Sequence, residues 1–165
     1  MQTHRRTLLA GAATRSLLLA GCGFELRRAP DFVFRTIAIG SAGSSSLGNE
    51  LKRSITSSGN VEVTPVDRAQ GVLEVLVDQR VKVVVGLNAS GQVREFQLRT
   101  RFKFKLRTPA GKELIADTEL LQQRDISFNE SAVLSKEAEE NLLYRDMQTE
   151  IVQQLMRRLA AVKSL

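Results

Sequence analysis

The stretch FQLRTRFKFKLR, residues 96–107, alternates apolar and polar side chains and decides the class of fold. Its large apolar members are Phe96, Leu98, Phe102, Phe104 and Leu106. The cations between and beyond them are Arg99, Arg101, Lys103, Lys105 and Arg107. Successive side chains of a β-strand point to opposite faces, so this period of two predicts a strand with one buried and one wet face. Antiparallel sheets commonly contain such strands.

The segments on either side of this stretch alternate in the same way. In the preceding segment we expect an apolar face formed by Leu73, Val75, Val77, Val81, Val83 and Val85. Its opposite face is expected to carry Glu74, Asp78, Arg80 and Lys82. In the following segment the expected apolar face consists of Leu114, Ala116, Leu120, Ile126 and Phe128, with Asp117, Glu119 and Asp125 opposite. The sequence therefore predicts three long antiparallel strands.

Two short turns connect these three strands. Residues 88–91, Asn-Ala-Ser-Gly, join the first pair, and residues 108–112, Thr-Pro-Ala-Gly-Lys, join the second. Proline favours the first turn position and glycine permits positive φ, so we expect a three-residue loop in which Thr108 pairs with Lys112. The resulting register places Phe104 opposite Ala116, Lys103 opposite Asp117 and Arg101 opposite Glu119.

Helices and shorter strands flank this antiparallel part. Residues 32–39 predict a strand, a Gly/Ser loop covers 40–46, and residues 61–66 predict a second strand. Between them Leu47, Leu51 and Ile55 recur at helical spacing, with Ser46 as the expected cap and Gly59 as the expected end. A strand, a helix and a strand imply a right-handed crossover, with the two strands expected to be parallel. Residues 135–162 predict a long amphipathic helix.

Together these elements predict an α/β (α+β) two-layer sandwich. One mixed, mostly antiparallel sheet is expected to have two helices packed on one face and an open polar face on the other side. We expect this single domain to span residues 32–165, after a tether at residues 22–31.

The first 21 residues have the pattern of a signal peptide. Arg5 and Arg6 precede an apolar run, which is too short to span a bilayer and ends in Leu19-Ala20-Gly21-Cys22. This ending matches the lipobox, which predicts cleavage before Cys22 and covalent lipid on its thiol. The paired arginines also hint at twin-arginine export, but His4 fits that motif poorly, so general secretion is the preferred route.

Composition excludes several kinds of chemistry. The only histidine, His4, lies in the expected leader, and the only cysteine is the expected lipidation site. We therefore expect no His- or Cys-based catalysis, no metal site, and no cofactor other than covalent lipid on Cys22. The chain has 24 Lys and Arg against 18 Asp and Glu, and removal of three leader arginines leaves an excess of three. So mild an excess does not argue for nucleic acid.

Away from the two ends of the chain, the most informative feature of the sequence is the set of five cations from Arg99 to Arg107. We call these five residues the basic row. Like charges this close repel each other unless groups of opposite charge neutralise them. One interpretation is a solvated face neutralised by Glu74, Asp78, Asp117 and Glu119. The other interpretation is a surface that binds an anionic partner, either a phosphorylated lipid or an acidic protein wall. Arg99 and Arg107 lack an obvious carboxylate partner in the expected register, and this is the observation on which the second interpretation depends.

Each end of the expected mature chain carries a short motif. Residues 22–27 read Cys-Gly-Phe-Glu-Leu-Arg, and Asp146-Met147 is followed by residues 154–159, Gln-Leu-Met-Arg-Arg-Leu. Together these motifs resemble the LptE family of lipopolysaccharide-assembly lipoproteins. The resemblance implies an outer-membrane lipoprotein, anchored on the periplasmic side, that plugs and helps to assemble the LptD β-barrel and contacts lipopolysaccharide. Gly23 replaces the aspartate of inner-membrane retention signals, which agrees with this location.

The resemblance also implies positions for lipopolysaccharide contact. Lys136 matches a basic residue near the start of the family's last helix, whereas Ala89 occupies a second position where a basic residue would be expected. The basic row is a further hypothesis for the same contact. Two alternatives stay open from the sequence: a stand-alone lipoprotein module that binds an anionic ligand, and a carboxylate-based hydrolase, which the lack of histidine disfavours.

Overall fold

A computed structural model describes residues 30–40 and 45–165. The expected leader, Cys22 and nearly all of the tether lie outside these residues. The strands are β1 (Thr36–Ile39), β2 (Glu62–Val63), β3 (Gly71–Leu87), β4 (Val93–Arg107) and β5 (Glu113–Ser127). The α-helices are α1 (Ser46–Ser57) and α2 (Val133–Ala160), and short 3-10 turns cover Val66–Arg68 and Glu130–Ala132. Within the described ranges, neither helix is long and apolar enough to cross a bilayer.

The five strands form one mixed sheet in the order β2-β1-β3-β4-β5. β1 is parallel to both β2 and β3, while β3, β4 and β5 are antiparallel neighbours. Both helices pack on one face of this sheet, so the predicted α+β sandwich is confirmed. β1 and β2 are shorter than expected. Phe32 and Phe34 precede β1 as a buried pair whose ring centroids are 5.4 Å apart, and Pro65 follows soon after β2.

The core lies between the centre of the sheet and the two helices. Phe102, Phe104 and Leu106 of β4 are fully buried against the apolar sides of both helices. The helical contributions are Leu47, Leu51, Ile55, Ile151, Val152, Leu155 and Leu159. α1 begins one residue earlier than expected because the hydroxyl of Ser45, rather than Ser46, accepts the Gly48 N–H. Gly59, just beyond the end of α1, has a φ of 77°, as expected for a glycine at a helix end.

The predicted faces of β3 are wrong beyond Val75. A β-bulge between Val75 and Val77 adds one residue to β3, so the alternation changes phase. Asp78, Arg80 and Lys82 then lie opposite Phe102, Thr100 and Leu98, on the helix-covered face. Val77, Val81 and Val83 lie opposite Lys103, Arg99 and Gln97, on the open face. Three polar residues expected on the open face therefore exchange places with three expected core valines.

The second hairpin confirms the predicted loop but corrects the register beyond it. The Thr108 N–H donates to the Lys112 carbonyl oxygen at 2.8 Å, and Gly111 has a φ of 94°. Two one-residue irregularities follow, between Arg107 and Phe104. Phe104 consequently lies opposite Thr118 rather than Ala116, and Lys103 opposite Glu119 rather than Asp117. Because the two irregularities add up to two residues, the apolar face of β5 is kept, with Leu120 and Ile126 buried.

Candidate functional site: the basic row on the open sheet face

The basic row lies on the face of β4 that no helix covers. Its five members alternate along β4 with buried side chains: Leu98, Thr100, Phe102, Phe104 and Leu106. The anchoring of those side chains in the core fixes the direction of the cations, since neighbouring residues of a strand point to opposite faces. The five predicted members of the row are therefore brought together on one surface.

Carboxylates on both neighbouring strands form ion pairs with most members of the basic row. Arg101 pairs with Glu119 at 3.0 Å and Lys103 with Asp117 at 3.2 Å, so both predicted pairs form despite the shifted register. Lys105 contacts Glu74 at 2.9 Å. Arg107 also pairs with Glu74, which corrects the expectation that Arg107 lacks a partner. Asp78, expected to neutralise the row, lies on the other face.

These contacts shift the pKa values of the acids involved. The hydrogen bond from Arg107, followed by that from Lys105, lowers the pKa of Glu74. The hydrogen bond from Arg101 likewise lowers the pKa of Glu119 and, in return, raises the pKa of Arg101. The pKa of Lys105 is raised by its hydrogen bond with Glu74. All four groups are solvent-exposed, so salt screens their attraction, and the pairs define the surface more than they stabilise the fold.

Arg99 differs from the rest of the row. Its cross-strand neighbours are Val81 and Gln123, and its Nε donates to the Gln97 side-chain oxygen at 2.7 Å. Within the described part of the chain, Arg99 is the member of the row without a carboxylate in ion-pair contact. An uncompensated guanidinium with remaining N–H donors can bind a phosphate or carboxylate from another molecule.

Lys136 lies apart from the basic row. Its Nζ donates to Ser127 Oγ and to Glu139 Oε2, both at 2.9 Å, at the end of β5. It lines a small cavity there together with Lys82 and Phe96, whose side chains lie on the helix-covered face. The exposed Ala89 lies in the β3–β4 turn. The structure therefore separates Lys136 from the row instead of joining them in one surface.

A second polar cluster, which sequence reasoning placed on the wrong face, lies between β3 and α2. The Arg80 guanidinium lies 5.3 Å from the centroid of the Tyr144 ring and donates to the side-chain oxygen of Gln148. Lys82 pairs with Glu140 at 2.6 Å and lies 4.3 Å from the centroid of Phe96. The sequence signals for the bulge that turns these cations toward α2 are weak. Gln79 interrupts the apolar alternation of β3, and the buried Gln148 lies in the otherwise apolar stripe of α2.

The described residues give little support to catalysis or metal binding. No group of three or more His, Cys, Asp or Glu side chains within them could hold a metal ion. The carboxylates near the row are engaged by cations at short distances, as the ion pairs above show. The fold and the charged open face thus define a small two-layer sandwich domain with a largely ion-paired basic surface.

Comparison with known proteins gives the family. Residues 34–159 match the family model described as LptE, lipopolysaccharide-assembly. The chain belongs to the LptE family, as its two ends suggested, and so to a family of lipopolysaccharide assembly rather than of catalysis. No curated protein sequence matches it significantly.

Solved structures of lipoproteins share the fold. Lipoprotein B from Nitrosomonas europaea is 30% identical, with a TM-score of 0.73 over 84% of this chain and 91% of that one. Rare lipoprotein B from Shewanella oneidensis has a TM-score of 0.64 and 19% identity, covering 77% and 95% of the two chains. A minor lipoprotein from Acinetobacter baumannii has a TM-score of 0.64 and 20% identity, covering 79% and 94%. The last two show the fold alone.

Proposed function

We propose that this chain is an outer-membrane lipoprotein that fills the lumen of an LptD-like β-barrel and contacts lipopolysaccharide during its delivery. In this proposal residues 1–21 are removed on export, Cys22 carries the covalent lipid, and the sandwich domain faces the periplasm. No cofactor beyond that lipid is required. Membership of the LptE family supports the role in lipopolysaccharide assembly.

The observation that carries the barrel proposal is that both outer surfaces present charged side chains. The open sheet face carries the ion pairs of the basic row beside apolar residues such as Val81 and Leu121. The outer side of α2 carries exposed residues such as Gln153, Arg157 and Arg158. β3, β4 and β5 have 17, 15 and 15 residues, which corresponds to a rod about 50 Å long at about 3.3 Å per residue. A narrow body with charged side chains on both sides suits the water-lined interior of a large barrel.

Photo-crosslinking tests this arrangement. A photoreactive side chain at Gln123 samples the open sheet face, and one at Gln153 samples the outer side of α2, since both residues are exposed. A domain enclosed by a barrel is expected to crosslink to the same barrel protein from both positions in native outer membranes. Crosslinks from one face only would indicate docking on the outside of a partner. Their complete absence would favour a stand-alone module.

Lipopolysaccharide contact by the basic row predicts a specific role for Arg99. Replacing Arg99 with glutamine is expected to weaken lipopolysaccharide binding about three- to tenfold, because a charge-assisted hydrogen bond to phosphate is lost at a partly screened surface. The parent affinity should also fall as salt rises. The measurement is binding across a salt series, after circular dichroism has verified the fold.

Arg124→Gln is the matched control for this change. Arg124 loses the same charge but lies on the helix-covered side of β5, where it pairs with Glu150. Lys136→Gln tests the position implied by the family resemblance. If the Arg99→Gln and Arg124→Gln variants bound lipopolysaccharide with equal affinity, the basic row would be a solvated face neutralised by its own ion pairs.

A further inference from the structure

A cavity of about 480 Å³ lies on the helix-covered side of the sheet, beside the start of α1. It is separate from the basic row and from Lys136. Its apolar lining includes Leu47, Val75 and Leu76, and its polar lining includes Asp78, Arg80, Thr100 and Gln148. Its volume falls within the range of small-molecule sites, which combine apolar walls with a few fixed polar groups.

The β3 bulge creates the polar wall. It turns Asp78 and Arg80 toward the helices, where regular alternation would have placed Val77 and Gln79. Bulges commonly redirect side chains near functional sites. Within the described ranges Asp78 has no hydrogen-bond or ion-pair partner, although Arg80 is only two residues away on the same face. An acceptor and a donor of opposite charge therefore line the same cavity without neutralising each other.

The donor side of the cavity is held in place by buried contacts. Gln148 is only 5% exposed, and its side-chain oxygen accepts from Ser46 Oγ at 2.9 Å and from Arg80. Its Nε2 donates to Glu50, which fixes the amide orientation. The Tyr144 ring lies beneath the guanidinium of Arg80. Such supporting contacts reduce the ordering cost of binding.

Thr100 supplies an independent indication of a ligand. It lies opposite Arg80 in the cavity wall, is 1% exposed, and its Oγ1 has no hydrogen-bond partner within the described part of the chain. An unpartnered buried hydroxyl is costly and rare in folded proteins. A bound molecule with a polar group in reach of Thr100 Oγ1 would supply the missing hydrogen bond.

Strand addition by a peptide fits this place less well. β1 pairs with β3 only as far as Leu73, so the edge of β3 beyond that point has no strand partner among the described residues. The bulge at Leu76 interrupts the regular ladder along this edge, and bulges of this kind discourage further strand pairing. The cavity therefore favours a compact ligand over an extended chain.

We propose that this cavity binds a single sugar residue of a saccharide. A sugar ring presents an apolar C–H face that matches the wall of Val75 and Leu76. Its neighbouring hydroxyls can donate to the Asp78 carboxylate and accept from Arg80. Opposite charges in one cavity suit such a neutral, polyhydroxylated group better than a simple anion. The proposal does not depend on the barrel, because binding is measured in its absence.

The single tyrosine of the chain gives a direct readout, since there is no tryptophan and Tyr144 lies beneath Arg80. The full lipidated chain, in a detergent without sugar headgroups, is titrated with four probes while tyrosine fluorescence is recorded. The probes are core oligosaccharide freed from lipid A, a disaccharide of N-acetylglucosamine and N-acetylmuramic acid, inorganic phosphate, and an extended valine-rich peptide. We expect saturable binding of one of the two saccharides, and the one that binds identifies the source.

Variants separate a hydroxyl site from an anion site. Asp78→Asn is expected to weaken saccharide binding about tenfold, because a charge-assisted hydrogen bond is lost. An anionic probe would instead bind more tightly to this variant. Thr100→Val should weaken binding about threefold without lowering the melting temperature, because the hydroxyl has no partner in the free protein. Asp67→Asn, an exposed site outside the cavity, is the charge-matched control.

Three results would overturn the proposal. The first is the absence of saturable binding by either saccharide. The second is binding of phosphate or the peptide that depends on Asp78 or Thr100. The third is an equal effect of Asp78→Asn and Asp67→Asn on saccharide affinity.

Discussion

Replacing Phe104 with alanine is expected to lower the free energy of unfolding by about 3–5 kcal/mol. The ring is fully buried in the centre of β4, and it packs beside Phe102 with the ring centroids 6.0 Å apart. Both helices contribute residues to the cluster that surrounds it. The change removes apolar contacts and leaves a cavity that a sheet fixed on both sides by β3 and β5 cannot close. Urea denaturation followed by circular dichroism measures the loss.

Leu134→Ala provides the matched control for this experiment. Leu134 lies in the first turn of α2 and is 82% exposed, so its truncation is expected to change stability by less than about 0.5 kcal/mol. A total stability of about 5–15 kcal/mol would make the Phe104→Ala loss a large fraction of the whole. If the two variants were equally stable, the apolar side of β4 could not be the core of the domain.

The sequence was sufficient to predict residues 96–107 of β4 because nearly every position there obeys one rule. Each large apolar residue from Phe96 to Leu106 lies on the helix side, and each cation lies on the open side. A central strand with paired neighbours on both sides has little freedom to deviate. The two helices could be predicted for a similar reason, since their apolar spacing is satisfied by one continuous contact with the sheet.

The faces of β3 could not be predicted in full, because its sequence fits two assignments of which side chains point toward the helices. The alternation of valines from Val75 to Val85 is interrupted by Gln79, and a regular strand with one polar core position fits the sequence as well as a bulge at Leu76 does. The tertiary partners decide the phase, since Lys82 pairs with Glu140 and Arg80 contacts Gln148 on α2. The displaced valines, among them Val77 and Val81, are only partly buried on the open face, which β-branched residues tolerate well.

The ion pairs of the basic row were easier to predict than the register beneath them. Lys103 reaches Asp117 and Arg101 reaches Glu119 although neither pair is directly opposite. Long side chains can contact diagonal neighbours as well as direct ones, so a two-residue shift preserved these contacts. Glu74 illustrates the limit of that reasoning, because one carboxylate contacts both Lys105 and Arg107. The sequence could not show that sharing.

Replacing Cys22 with serine is expected to abolish anchoring of the chain in the membrane by acyl groups. Each buried CH₂ contributes roughly 0.8 kcal/mol, so several long acyl chains provide on the order of tens of kcal/mol of anchoring, all of which the variant would lose. Mass spectrometry of the parent should find a mature N-terminus at Cys22 that carries acyl chains. The variant should lack those chains and accumulate as unprocessed precursor.

Gly23→Asp tests sorting separately from lipidation. It keeps Cys22 and its acyl chains but introduces the residue that favours retention in the inner membrane, so the chain should remain lipidated and change its membrane fraction. Melting curves of the isolated proteins should agree with the parent for both variants, since residues 22 and 23 precede the core residues that begin at Phe32. An unmodified Cys22 within a longer parent chain would refute the lipoprotein proposal and leave the fold assignment intact. Release of the parent and the Cys22→Ser variant to the same extent would show that the domain is held at the membrane by protein contacts instead.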